Sequence, residues 1–259
     1  MNIQPKVKNI EYTFVAGNGE QVLVTYPSTQ VYYLEDEVRQ FFTELHISKE
    51  STECFLKDYR ENGNVDYRTF LESIGARIDK DFWRIYRLDY GMGNEPCQLG
   101  GGNAFILSVD EEGDIVVVMQ RRSIEKPETF HRYSTVGGGY RNWRYTAPDG
   151  KTYCACEPSY LTAMRECKEE SGKALNCASM VFFNRENATS YPNGQVVDHS
   201  ESQFYLCWTN YENLKGYIGS SDEGKTMILK LKELKNTEKY PVFTAHKLSV
   251  ARLIEQYIG

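Results

Sequence analysis

Long apolar runs are missing from this chain. The longest uninterrupted aliphatic stretch is Ile115 to Met119, far short of the roughly 20 residues that a membrane-spanning helix needs. The first residues, MNIQPKVKNIEY, have no apolar core of the kind a secretory leader carries, so neither membrane nor leader is expected. Excess positive charge is also missing. Thirty Lys and Arg stand against 36 Asp and Glu, for a net charge of −6, and no long basic stripe forms. That argues against a chain whose main work is to grip a nucleic-acid backbone. The seven cysteines are odd in number and lack framework spacing. Only Cys154 and Cys156 are close, and no second pair or histidine cluster completes a zinc site. Reduced thiols and a cytoplasmic setting are expected. His131 and His199 have no partner spacing for a nucleophile triad, and ordinary polar or core roles suit them. Gly100-Gly101-Gly102 lacks the strand-before, helix-after context of a dinucleotide fingerprint and reads as a linker or turn.

What is present is an ordinary globular composition of 259 residues, 41% hydrophobic and 25% charged, enough for one large domain or two small ones. Tyr12–Val15 and Gln21–Tyr26 alternate around Gly17-Asn18-Gly19, which predicts a hairpin. Leu34–Leu45 has helical spacing, with Val38, Phe41, Phe42 and Leu45 on one side. Thr52–Tyr59 and Tyr67–Ile74 are shorter helical candidates, and Phe82–Arg87 fits strand or helix. The aromatics here read as core or a subunit interface. Gly91–Pro96 and the three glycines at 100–102 mark a boundary. The division expected is therefore an α+β region over 1–100 and a second domain over 101–259.

That second domain opens with a hairpin, Ala104–Val109 and Ile115–Arg121, turning at Asp110–Asp114. Phe130–Val136 then runs into Gly137-Gly138-Gly139. Further strands are expected at Ala178–Phe183, Ser202–Trp208 and Met227–Leu231, with a polar loop over Asn184–Asp198. A closing helix is expected over Thr244–Tyr257, with Leu248, Ala251, Leu253 and Ile254 on its apolar side.

The stretch Glu157–Gly172, EPSYLTAMRECKEESG, carries chemistry. Pro158 suits the first position of a helix and Gly172 the position just past its end. Leu161, Met164 and Cys167 or Lys168 share one face, while Glu166, Glu169 and Glu170 share another at i, i+3 and i+4. Like charges one turn apart cost a free helix about 0.2–0.5 kcal/mol per pair. Clustered carboxylates raise one another's pKa unless a cation lies among them. Two readings follow: a solvated face with Arg165–Glu169 and Glu169–Lys173 pairs, or a seat for a hard cation such as Mg²⁺.

Glu157, seven residues, then Arg165-Glu166-x-x-Glu169-Glu170-x-Gly172 resembles the Nudix box, G-x5-E-x7-R-E-U-x-E-E-x-G-U. Cys167 and Lys173 stand where aliphatic residues are usual. The glycine end is displaced, because Tyr140–Cys156 separate Gly137–Gly139 from Glu157, and an insertion over about 140–156 is inferred. Gly150, after Pro148-Asp149, reads as a turn glycine. The resemblance implies an α/β fold, the Nudix α/β/α sandwich with a mixed sheet, after the smaller α+β region.

The resemblance also implies Mg²⁺-dependent hydrolysis of a nucleoside diphosphate linked to another moiety, with Mn²⁺ as an alternative ion. Glu166, Glu169 and Glu170 would be metal ligands, helped by a carbonyl from Gly138 or Gly139, for which Gly139 is taken. Arg165 would orient a box glutamate, with Glu157 supporting it; a carboxylate at the helix start also suits the helix dipole. For the general base the choice outside the box is Glu223, then Asp222, then Glu201. Arg121 and Arg122, at a strand end, would meet substrate phosphates, or else simply be exposed. Tyr191 would stack a base.

The loop with Tyr191-Pro192-Asn193-Gly194 and the acidic Ser200-Glu201 and Asp222-Glu223 look like the ADP-ribose pyrophosphatase branch, whose members are typically dimers. A tyrosine near position 191 also occurs in relatives acting on dinucleoside polyphosphates, so those and nucleoside triphosphates stay open as substrates. A small-molecule nucleotide is the partner implied. The alternative of another class is a Nudix-fold module that binds a nucleotide without cleaving it.

Overall fold

The computed structural model describes residues 8–30, 34–62, 66–79, 100–123, 131–175, 179–187, 201–222 and 224–259. The hairpin predicted near the start is present as β1 (Asn9–Val15) and β2 (Gln21–Pro27), turning through Gly19 at φ 85°. Three helices follow, α1 (Leu34–Glu44), α2 (Lys49–Asn62) and α3 (Tyr67–Ser73). The predicted face of α1 is its buried face: Val38, Phe41, Phe42 and Leu45 are all inside. Phe42 stacks on Phe70 and Phe41 meets Tyr67 edge-on, so these aromatics are core. Phe82–Arg87 and Gly91–Pro96 lie outside the described residues.

A mixed sheet organises what comes next. Its main path runs β10 (Ser179–Asn187), β11 (Glu201–Trp208), β4 (Gly100–Val109), β5 (Ile115–Arg122), β13 (Gly224–Lys230) and β12 (Ser220–Ser221). β11 and β4 run parallel, while the other neighbours are antiparallel. β4 changes partner along its length. Its second half pairs with β5, and its first half with β7 (Val136–Gly139); β6 (Tyr133–Ser134) stays with β5. β4 and β5 thus splay apart at one end, and the glycine strand occupies the gap.

Gly100–Gly102 are not a linker but the buried start of β4. A Cβ on Gly101 would lie 2.4 Å from the Gly138 carbonyl oxygen, and one on Gly102 only 1.8 Å from that of Ser159. The run exists because two strands and a helix meet there without room for side chains.

The segment after the glycines is a hairpin rather than an open loop. Its strands are β8 (Asn142–Thr146) and β9 (Thr152–Cys156), with β3 (Arg77–Ile78) added at the edge and Gly150 in the turn at φ 81°. The Glu157 N–H donates to the Arg141 carbonyl at 2.8 Å and closes its base. The chain leaves and re-enters at one point, so the glycines lie beside the next helix.

That helix is α4 (Ser159–Ser171). Pro158 sits one place earlier than expected, as its cap, and Gly172 ends it at φ 74° with its N–H on the Lys168 carbonyl. Leu161, Met164 and Cys167 are buried as the periodicity required. After β11 come α5 (Tyr211–Lys215) and, at the end of the chain, α6 (Lys247–Ile258), preceded by a 3-10 turn at Thr244–His246.

Three further expectations need correction. The strand β10 runs on to Asn187, past a register shift between Phe182 and Asn184, and buries Asn184 and Glu186, so the polar loop begins later. The inward side of α6 is Ser249, Val250 and Leu253. Leu248 is 63% exposed, and Ala251 is also outside. They flank the docking stripe, and the polar Ser249 is inside because its hydroxyl meets Asn184 and Glu186. Finally, Cys54, Cys154, Cys156 and Cys167 are free thiols, but Cys207 is disulfide-bonded, a tertiary pairing that spacing cannot reveal. No described helix is long and apolar enough to cross a membrane.

Candidate active site

The box residues meet where α4 lies across the glycine strand. Arg165 is at the centre, its side chain 2% exposed. A guanidinium has five N–H donors, and each is engaged. Nε and Nη2 hold the Glu157 carboxylate at 2.9–3.1 Å. Nη2 also donates to the Gly139 carbonyl at 2.9 Å. Nη1 reaches Glu166 at 2.6 Å and Glu169 at 2.9 Å. A 100° step on an ideal helix separates Arg165 from Glu166, yet the long side chain still bonds its neighbour.

Each of the three glycines serves one box residue. The Gly137 N–H donates to Glu170 Oε2 at 3.0 Å. Gly138 leaves room for Glu166, whose carboxylate atoms lie 2.4–2.7 Å from where a Cβ would stand. Gly139 gives its carbonyl to Arg165. The expectation for Gly139 was a carbonyl near metal; its observed bond is to the guanidinium, with Gly138 facing the glutamate.

Glu157 is fully buried and accepts from Arg165, from the Thr162 hydroxyl at 2.9 Å, from the Tyr67 hydroxyl at 2.8 Å and from Trp143 Nε1 at 3.4 Å. Its role is to anchor Arg165 rather than to sit at the helix dipole in water. Tyr67 and Trp143 escaped the sequence reading. Tyr67 comes from α3 and Trp143 from the β8–β9 hairpin, and neither adjoins the motif. Burial, then the Glu157 charge, raises the Tyr67 pKa, keeping it a donor.

The glutamates differ. Glu166 and Glu170 are buried; Glu169 is at the rim, bonded to Arg165 and to Arg68 of α3. Burial raises the Glu166 pKa, and Arg165 only partly offsets it. Burial also works against the charge on Arg165, but Glu157 and Glu166 outweigh it and hold its pKa up.

Arg121 and Arg122 close β5 opposite Lys225 and Gly224, with Arg122 over the Phe243 ring at 5.7 Å. Asp222 is exposed beside β13. Glu223, Tyr191 and His199 lie outside the described residues, as does the side chain of Glu201.

A motif of this spacing, folded so that its arginine binds its first glutamate and its glycine strand lies against two of the other three, is the deciding observation. The chain resembles the Nudix hydrolases. No family profile and no curated protein matches the sequence. Solved structures of similar fold include a mutT/nudix family protein from Listeria innocua, at 14% identity over 64% of this chain and 99% of that one, with a TM-score of 0.42. An Ap4A hydrolase from C. elegans is 15% identical over 61% of this chain and 96% of its own, with a TM-score of 0.40. A Nudix hydrolase from M. smegmatis is 10% identical over 60% and 83%, with a TM-score of 0.36.

The donor set of the Nudix box suits a hard divalent cation. Four carboxylates share the patch with Arg165 and Arg68, which leaves excess negative charge; burial first, and Glu169 after it, raise the Glu166 pKa. Gly138 keeps the backbone bare, so the Glu166 carboxylate can lie directly against it. A second acidic group, Asp110, Glu112 and Asp114, is different. It forms the β4–β5 turn and already holds Lys230, with Lys232 on Asp114.

Proposed function

We propose that the chain is a Mg²⁺-dependent pyrophosphohydrolase. Its substrate would be a nucleoside diphosphate linked to another moiety, ADP-ribose or a related nucleotide sugar, with Mn²⁺ able to replace Mg²⁺. The observation that supports this is the Arg165 network. It spends one buried guanidinium on orienting Glu166 and Glu169 and leaves none of its donors for substrate. A box that served only as a solvated helix face would need no such core.

Glu166, Glu169 and Glu170 would hold the ion, which supplies charge neutralisation at the pyrophosphate and a more acidic water. Glu166 and Glu170 are fixed by α4 and the glycine strand, so little reorganisation accompanies the reaction. Arg165 is a positioning residue, and Glu157, Tyr67, Thr162 and Trp143 position it in turn. Glu223 is assigned as the base that takes a proton from the attacking water, with Glu169 and Glu170 as the acidic groups inside the box. Arg121, Arg122 and Tyr191 are assigned to substrate phosphates and base. The ADP-ribose assignment rests on the Pro192-Asn193-Gly194 loop and the acidic pairs at 200–201 and 222–223, and the homodimer that this branch implies goes with it. The second reading, a dinucleoside polyphosphate substrate, rests on Tyr191.

The test is a panel with Mg²⁺: ADP-ribose, other nucleotide sugars, dinucleoside polyphosphates, NADH and nucleoside triphosphates, on wild type and Glu169→Gln. One class is expected to be cleaved, with kcat falling about 100-fold or more in the variant. No turnover of any class, with metal-independent binding of one nucleotide, would replace the hydrolase by a nucleotide-binding module.

A further inference from the structure

Three consecutive residues at the start of α3 each engage a charged residue of the box. Asp66 pairs with Lys168, the Tyr67 hydroxyl bonds Glu157 at 2.8 Å, and Arg68 pairs with Glu169. The first two hold the helix against α4. The third falls on a carboxylate assigned to the ion.

Glu169 is held by two guanidiniums, Arg165 through Oε2 and Arg68 through Oε1. A cation that shares Glu169 competes with both for its oxygens, and repulsion between like charges favours the departure of whichever guanidinium is free to move. Arg165 cannot turn away. Its side chain is 2% exposed, and its remaining donors are committed to Glu157, Glu166 and the Gly139 carbonyl. Arg68 can. Its side chain is 43% exposed, and its other partner is Glu72, one turn along its own helix. A cavity of about 250 Å³, bounded by Thr69 and Lys168, opens beside the pair and gives the guanidinium somewhere to go.

We propose that Arg68 is a positioning residue that competes with the divalent cation for Glu169, so that α3 of the amino-terminal region sets the metal affinity of the box. Without the ion, Arg68 neutralises the exposed oxygen of Glu169 and holds the carboxylate in place. When the ion binds, Arg68 yields and falls back on Glu72. This rests on the reading of Glu169 as a metal ligand.

The test is Mn²⁺ binding to the full-length protein without substrate, by calorimetry or by the paramagnetic signal of free Mn²⁺. Four proteins are compared: wild type, Arg68→Gln, Lys168→Gln and Glu169→Gln. Gln is a good helix former at an exposed site, so Arg68→Gln preserves α3. An exposed pair is weak, and removing the competitor is expected to tighten Kd about two- to five-fold. Lys168→Gln removes a neighbouring cation that does not touch Glu169, the buried Tyr67–Glu157 bond still holds α3 in place, and Kd is expected to stay unchanged. An Arg68→Gln protein that binds Mn²⁺ no tighter than wild type overturns the proposal. Equal tightening in Lys168→Gln overturns it too, since general charge is then sufficient. A wild type that binds no Mn²⁺, or a Glu169→Gln protein that binds it equally well, removes the metal reading on which both stand.

Discussion

At the scale of single residues, burial governs how the ionisable groups behave. Arg165 is tolerable inside because every donor is met; a buried charge stripped of one partner costs about 3–5 kcal/mol. His246 is buried, and its hydrogen-bond partner among the described residues is the neutral Thr135. The ring lies edge-on to Phe204 and Phe243, and its Nδ1 accepts the Thr135 N–H at 3.2 Å. Burial, with Arg122 nearby, lowers its pKa from 6.5 to about 3. Below 6.5 the unfolded chain therefore takes up a proton that the native state refuses. This contribution to stability is full above 6.5, falls as pH drops towards about 3 and is flat below that. The slope is about 1.4 kcal/mol per pH unit. Between about pH 7 and about pH 5, urea unfolding of wild type should show about 2 kcal/mol more loss than His246→Gln. Equal losses would show that His246 is not the group responsible.

At the scale of elements, close approach is the governing constraint. α4 can rest on β4 and β7 only because Gly102 and Gly138 carry no side chain. Gly102→Ala would set a methyl carbon 1.8 Å from the Ser159 carbonyl oxygen, at the first residue of α4. Backbone must then move, and overpacking of this kind costs about 1–3 kcal/mol or more. The expected result is a lower Tm together with weaker Mn²⁺ binding, because the helix that carries the glutamates shifts. A variant with the Tm and metal affinity of wild type would mean that the strand and helix separate more easily than their packing suggests. The β8–β9 hairpin obeys the same logic in reverse. Its base is pinned by Glu157 to Arg141, so the chain returns to the box at the point where it left the glycines.

At the scale of the whole molecule, the residues before and after Gly100 share one core. Val38, Phe41, Phe42, Leu56, Tyr67 and Leu71 pack in the same cluster as Ala104, Trp143, Leu161 and Met164. The full chain is expected to unfold in one step, with far-ultraviolet dichroism and the fluorescence of buried Trp143 and Trp208 giving one coincident urea transition. A chain beginning at Gly100 should lack a cooperative transition. Two separated transitions, or a folded fragment, would show that the shared cluster is dispensable.

The sequence by itself determined many of the local elements and the spacing of the box. The inward face of α1, the span and terminus of α4 and the three glutamates on one face are readable because helical periodicity acts over a few residues. Only the tertiary structure decided what surrounds them. Tyr67 reaches Glu157 across 90 positions, and Arg68 reaches Glu169 across 101; no local pattern encodes such a contact. Gly100–Gly102 read as a turn because glycine is permissive everywhere, and what gives them a strand is the backbone packed against them. The face of α6 was likewise settled by its neighbours. A periodic apolar pattern fixes a helix, but the surface it meets chooses among adjacent stripes, and here Asn184 and Glu186 drew Ser249 inward while Leu248 stayed in water.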